Sequence, residues 1–469
     1  MALLERLLAG PPPLPLHLPA HGRGRALAPG LRRLLRQPPG RWDLPELPEI
    51  GGPLEAEGAV ADAQAAAAAL LGAQRCWFGV NGASGLLQVG LLALAKPGER
   101  VLLPRNLHRS LLHGCLLGQL RPVLFDLPFD AATGLWLPPT PASFQRHLSE
   151  ALAAGPLAAV VLVSPSYQGL AAELPALVAL AHQHGLPVLL DEAHGAHLGL
   201  DPRLPPSGLA SGADLVVQSL QKAAGGLAQS AVLFQGAGAD EQLCQARSQA
   251  IERALLWMQT SSPSALLLAS AAASLAHLHS GAGSRQLRRA LAIGLALRGR
   301  LERIGVPLLP TADPLRLCIH TAAMGINGLE ADAWLIERGV IAELPEPGCL
   351  TACLGLAPPW RVLRLLPRRL LQLRRALGGE PMAPFSAPPI PPLAEPEVPL
   401  ELAWRAPQLR LPLAEASGRL AAEPLCPYPP GIPLLIPGER IDADRAAWLV
   451  QQQQLWPGQI ADTVSVVAD

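Results

Sequence analysis

The sequence predicts an α/β fold: a mainly parallel sheet covered by helices on both faces, followed by a small α+β unit and a C-terminal unit. Three observations predict it. Seven apolar runs of strand length alternate with helical stretches between Trp77 and Gln235. The runs are continuously apolar and do not alternate with polar residues, as expected of strands buried on both faces. Beyond about Ile304 the order changes to strand, helix, strand, strand, helix, which fits a compact mixed unit.

Taken in order, residues 1–50 read as an N-terminal arm, because Pro11 to Pro48 is dense in Pro and Arg and suits extended chain better than a core element. The opening MALLERLLAG carries Glu5 within its apolar run and has no small-residue cleavage site, so it does not read as a signal peptide. Residues 51–285 make the large domain. Its Ala-rich stretch from Gly58 to Gly72 predicts a helix. The strands are WFGV, ERVLLP, RPVLFD, AAVVLVS, LPVLLD, ADLVVQS and SAVLFQ, with GLLQVGLLALA and LPALVALAHQHG among the helices between them. Residues 286–380 supply the small α+β domain, residues 381–399 a Pro-rich linker, and residues 400–469 a last unit. Ligands on such sheets bind outside the carboxyl ends of the strands.

The 37 Lys and Arg residues balance the 37 Asp and Glu residues, so no charged field points to nucleic acid or to a membrane surface. No stretch approaches the roughly 18 apolar residues of a membrane helix. A small-molecule partner is expected. The seven Cys residues are scattered; only Cys349 and Cys353 are close, and no second pair completes a zinc site, so free thiols in a reducing cytosol are expected. Lys occurs only at Lys96 and Lys222, the other 35 basic residues being Arg. Lys96 sits in the turn AKPGER, where a solvated charge is ordinary. Lys222 follows the apolar strand in VVQSLQKAAGG, where a charge is not.

LPVLLDEAHGAH places Asp191 at the end of a buried strand, and Lys222 follows another strand about thirty residues later. In a doubly wound sheet both face one crevice. A desolvated amine and a buried carboxylate at such a site meet the needs of pyridoxal 5'-phosphate (PLP): the amine bonds the cofactor, and the acid holds its pyridine nitrogen protonated. Ser219 can offer a hydroxyl to phosphate. In FGVNGASGLLQ the N–H groups of Ala83, Ser84 and Gly85 open a helix and can face an anion. His108, in RNLHRS at another strand end, can stack on a planar cofactor, or it is a surface loop histidine. Asp191, Glu192, His194 and His197 also invite a metal reading, but their spacing completes no ligand motif and no metal is expected. The PLP reading uses Asp191 and sets small Ala193 against the ring.

The segments HLPAHGRG, NGASG, RNLHRSLLHG, SPSYQG, LPVLLDEAHGAH, GADLVVQSLQK, TSSPS and PYPPGIPLLIPGERI together resemble the ornithine/lysine/arginine decarboxylases over essentially the whole chain. The resemblance implies an aspartate-aminotransferase-like (fold type I) PLP domain with the family's C-terminal domain, in a homodimer or a dimer-based higher oligomer. It implies that Lys222 carries PLP covalently, Asp191 contacts the pyridine nitrogen, His108 stacks on the ring and Ala193 lies on the opposite face. Ala83, Ser84, Gly85, Ser219 and Gln221 then surround the phosphate, Thr260 to Ser264 reach it from the neighbouring subunit, and Glu439 contacts a basic substrate. Gln221 stands where the family has His, Ala83 where it has a small hydroxylated residue, and Ala20 where it has Gly; a neutral amide at Gln221 can donate to phosphate but cannot act as an acid. The implied activity is decarboxylation of arginine or lysine, ahead of ornithine, feeding polyamine synthesis in the cytoplasm. An aminotransferase or other PLP lyase on this fold, and a non-catalytic PLP-binding protein, remain open alternatives.

Overall fold

The computed structural model describes residues 3–8, 14–238, 240–426, 432–456 and 460–468. Most of the PYPPGIP signature, residues 427–431, lies outside them. All seven apolar runs form strands: β1 (Arg75–Gly79), β2 (Arg100–Pro104), β3 (Arg121–Phe125), β4 (Ala159–Val163), β5 (Val188–Asp191), β6 (Leu215–Ser219) and β7 (Ala231–Gln235). They lie in one eight-stranded sheet in the order Leu393–Ala394, β3, β2, β4, β5, β6, β7, β1.

The run from β3 to β6 is parallel, but β7 is antiparallel to both β6 and β1. The reversal has a simple cause. The connection from Ser219 to Ala231 holds one helical turn, Leu220–Ala223, and is too short for the helical crossover that a parallel return needs. The eighth strand, Leu393–Ala394, comes from the Pro-rich segment and pairs antiparallel with β3.

Successive side chains on these strands enter two separate cores, as strand geometry requires. Leu102, Val160, Leu162, Val188, Leu190 and Val216 pack on one face against α1 (Ala59–Leu71), Pro141–Ala153, Leu174–Gln183 and Ala265–Leu278. Val101, Leu103, Val161, Leu189, Leu215 and Val217 pack on the other against α2 (Gly82–Leu94), α3 (Arg109–Gly118) and α4 (Glu241–Met258). Each fully buried aliphatic side chain contributes roughly 1.5–3 kcal/mol, so the central strands are the rigid base of the molecule.

The small unit is a three-stranded antiparallel sheet in which β10 (Cys349–Cys353) lies between β8 (Arg316–His320) and β9 (Leu344–Glu346), with helices Gly328–Ile336 and Val362–Leu377. The arm departs from the expectation of a segment outside the core. Leu14 and Leu16 are each 1% exposed, because Leu14–Pro15 pairs with Val340–Ile341 beside the small sheet. The last unit has its own core of Leu413, Leu435, Ile441, Leu449, Val464 and Val466. Lys96 is exposed in the turn that precedes β2, at the amino edge of the parallel strands. Among the described residues no single helix is long and apolar enough to cross a membrane.

Candidate active site

A cavity of about 350 Å³ opens at the carboxyl ends of β4, β5 and β6, and Gly82, Ala83, Ser84, His108, Asp191, Ala193, Ser219, Gln221 and Lys222 all line it. The fold brings them together because each follows directly on a parallel strand or starts the next helix. Gly85 lies one residue further into α2 and does not line the cavity. Asn81 provides no side-chain cap for α2; the Gly82 N–H donates to the Gln229 carbonyl at 2.9 Å, and the N–H groups of Ala83 and Ser84 beside the cavity are left for an anion.

Asp191 is 5% exposed; its Oδ1 accepts the Ala193 N–H at 3.0 Å, and no donor among the described residues reaches Oδ2. His108 caps α3 through Nδ1, which accepts the Ser110 N–H at 3.2 Å and lies 2.8 Å from the Ser110 hydroxyl. Burial lowers its pKa, and an Nδ1 that accepts leaves the proton of the neutral ring on Nε2.

The contacts of Lys222 define its charge. Lys222 Nζ lies 3.0 Å from His194 Nε2, and an Arg316 guanidinium nitrogen lies 3.2 Å from His194 Nδ1. Arginine can only donate, so Nδ1 accepts and the proton of a neutral His194 sits on Nε2. That N–H then donates to Nζ, which must be an uncharged amine to accept it. The electrostatics agree. Burial lowers the pKa of Lys222, Asp191 opposes and Arg316 assists, while burial and then the charges of Lys222 and Arg316 drive His194 well below its ordinary value. The Tyr167 ring packs on His194 with centroids 4.3 Å apart. An uncharged amine, a carboxylate with a free oxygen, the open N–H groups of Ala83 and Ser84 at a helix N-terminus and a neutral imidazole in one cavity fit PLP.

The acidic and imidazole groups of DEAHGAH diverge to four partners. Asp191 faces the cavity, His194 meets Lys222, and His197 bonds buried Asp313 at 3.0 Å. Glu192 accepts the Gly208 N–H and the Gln218 amide, each at 2.7 Å, and burial pushes its pKa up to about 8.

Glu439 corrects the expectation of a substrate contact. It is 3% exposed and outside the cavity lining; its Oε1 pairs with fully buried Arg105, and its Oε2 accepts from the Ile436 N–H at 2.9 Å and lies 3.5 Å from Arg445. A carboxylate so engaged docks the last unit on the large domain. Thr260, Ser261 and Ser262 are exposed and do not line the cavity of their own chain; they follow Leu256 and Trp257, which are 69% and 85% exposed.

Sequence reading missed Tyr167, Gln168, Arg316 and Glu346. Tyr167 and Gln168 carried a signal, because SPSYQG follows the end of β4. Arg316 and Glu346 carried none, since they reach this place through the packing of the small domain.

Matches to known proteins agree with this geometry. Residues 16–322 match the Orn/Lys/Arg decarboxylase major domain, and residues 392–456 match the C-terminal domain of the same family. The arginine decarboxylase of Bacillus subtilis (strain 168) is 30% identical over 93% of this chain and 90% of its own length. The constitutive lysine decarboxylase of E. coli superposes with a TM-score of 0.74 at 20% identity, covering 89% of this chain and 73% of that one. A PLP-bound structure of SPT superposes at 0.59 and 18% identity over 77% of this chain and 88% of that one.

Proposed function

The chain belongs to the Orn/Lys/Arg decarboxylase family and is a PLP-dependent decarboxylase of a basic amino acid, and from that premise we propose that its preferred substrate is arginine. The observation that carries the proposal is the meeting of Lys222, Asp191 and His108 at one cavity in a chain four of whose near-full-length relatives are named arginine decarboxylases. PLP, when bound, supplies an electron sink for the pair left on carbon when the carboxylate departs as CO2.

The chain's own residues divide the remaining work. Lys222, uncharged through burial, would be the nucleophile that bonds the cofactor, and Asp191, whose Oδ2 has no donor among the described residues, would keep its pyridine nitrogen protonated. His108 and Ala193 would flank the ring, and Ser84, Ser219 and Gln221, with the Ala83 and Ser84 amides of α2, would hold the phosphate. His194 Nε2 donates a hydrogen bond that holds the Lys222 amine in place, and Lys222 would carry the proton returned to the substrate carbon. The working form is a cytoplasmic homodimer, its contact including Trp257 and Thr260 to Ser264; the product amine enters polyamine synthesis. The unpaired state of all seven cysteines supports a reducing compartment.

PLP-loaded protein supplied with arginine, lysine or ornithine should release CO2, with the highest kcat/KM for arginine. Keto acid without CO2 would indicate an aminotransferase, and no product a binding protein. Borohydride should bleach the visible absorbance and fix the label on Lys222; a label on Lys96 would defeat the assignment. Sedimentation should give a dimer, and a fully active monomer would contradict it.

A further inference from the structure

The cavity that holds Lys222 and Asp191 is also lined by Phe129, Trp136 and Phe385, and by one carboxylate besides Asp191, Glu346. Leu344 and Glu346 are alternate residues of β9, so both side chains face the cavity from the same side of the strand. Glu346 Oε2 accepts the Gln168 amide at 2.8 Å, and the Gln168 carbonyl accepts the Ser166 hydroxyl at 2.9 Å. Ser166 thereby fixes which end of Gln168 meets the acid. Among the described residues no donor reaches Glu346 Oε1 and no Lys or Arg pairs with it. Desolvation has raised its carboxyl pKa to about 7.

A half-buried, desolvated acid held by one neutral donor in a cavity that aromatic rings also line is costly unless a cation completes it. Asp191 already supplies the one carboxylate that the cofactor needs. We propose that Glu346, oriented by Gln168, is the subsite for the distal cation of the substrate, and that this cation is a guanidinium. A guanidinium presents a planar fork to a carboxylate and stacks on aromatic faces, whereas an ammonium is compact and more strongly hydrated. Glu439, the acid that the C-terminal motif offered for this role, is occupied by Arg105 and Arg445.

The inference rests on the reading of the chain as a basic amino-acid decarboxylase, so its test separates the two. PLP-loaded wild type and Glu346→Gln are compared with arginine, with lysine and with citrulline, which keeps the shape of arginine but replaces its charged end by a neutral urea. Wild type should prefer arginine, and Glu346→Gln should raise the arginine KM by about thirty-fold and remove most of that preference, as the loss of one charge-assisted contact would. Gln168→Ala, which leaves the acid in place but unguided, should raise the KM several-fold. An arginine KM within twofold of wild type in Glu346→Gln overturns the subsite. A wild type that prefers lysine and still depends on Glu346 overturns the guanidinium assignment. If wild type decarboxylates none of the three amino acids, the functional reading fails. The subsite is then read from spectral titration of the loaded protein with arginine and citrulline, where equal affinity in wild type and Glu346→Gln overturns it.

Discussion

The two walls of the cavity obey different rules. On the sheet side, Asp191, Ser219, Lys222 and His108 each lie within four residues of a strand end, and the buried strands behind them fix their positions. On the facing side, Phe129 and Trp136 come from a short hairpin, Glu346 from the small domain, and Phe385 and Trp448 from the chain beyond it. The first wall carries groups that any PLP chemistry needs; the second carries groups that choose a side chain. The two acids contributed by the added units sharpen the contrast, since Glu439 is clamped by two arginines and Glu346 by one neutral amide.

The largest expected effect concerns the clamped acid. Glu439→Gln leaves Arg105 buried without its counter-charge and should cost about 3–5 kcal/mol of stability. Denaturant unfolding measures the loss, and the arginine KM should not follow it. A raised KM at unchanged stability would restore Glu439 to the substrate wall.

Next, Asp191→Asn keeps shape and hydrogen bonding but removes the charge behind the pyridine nitrogen. Cofactor should still bind Lys222, while kcat falls about a hundredfold or more, roughly 3 kcal/mol. Glu192 offers no substitute, because both its oxygens are bonded on the far side of the strand. Near-wild-type turnover would remove the sheet-side wall from the chemistry.

A smaller effect is a pH dependence set by the substrate wall. Burial raises Glu346 to about 7, so the acid is neutral below that pH and charged above it. Arginine affinity should therefore improve as pH rises and level off above about 7, by up to about tenfold per unit below it. The ionisable groups on the elements around it are Asp130 in the hairpin and the Cys349 thiol on β10, itself pushed up in pKa. A pH leg that persists in Glu346→Gln would assign the titration elsewhere.

The smallest expected effect is at Arg316, whose charge helps to hold Lys222 uncharged. Arg316→Met should let the Lys222 pKa rise, so less neutral amine is present at a given pH. The pH profile for amine labelling of the PLP-free protein should move upward by up to about one unit. An unmoved profile would mean that burial alone depresses the amine.

Legibility in the sequence followed the same division. The seven apolar runs all became strands, because each is buried on both faces and its pattern depends on no partner's identity. Asp191, Lys222 and Ser219 were legible because a strand end is itself a place. The reversal of β7 was not, since direction is set by loop length and run composition is silent about it. The burial of Leu14 and Leu16 depended on Val340 and Ile341, far along the chain. Glu346 was hidden for the same reason: β9 reads as three ordinary residues until the small domain packs against SPSYQG.

The exposed Lys96 has a practical consequence. The chain has two lysine side chains, and the functional reading gives one of them to the cofactor. Lys96 then remains as the single side-chain amine on the surface, at the end of the parallel strands opposite the cavity. Coupling at lysine side chains with PLP in place and the α-amino group blocked would attach each protomer through Lys96, on the side away from the cavity. The scarcity of one residue type gives each protomer a single defined side-chain point of attachment.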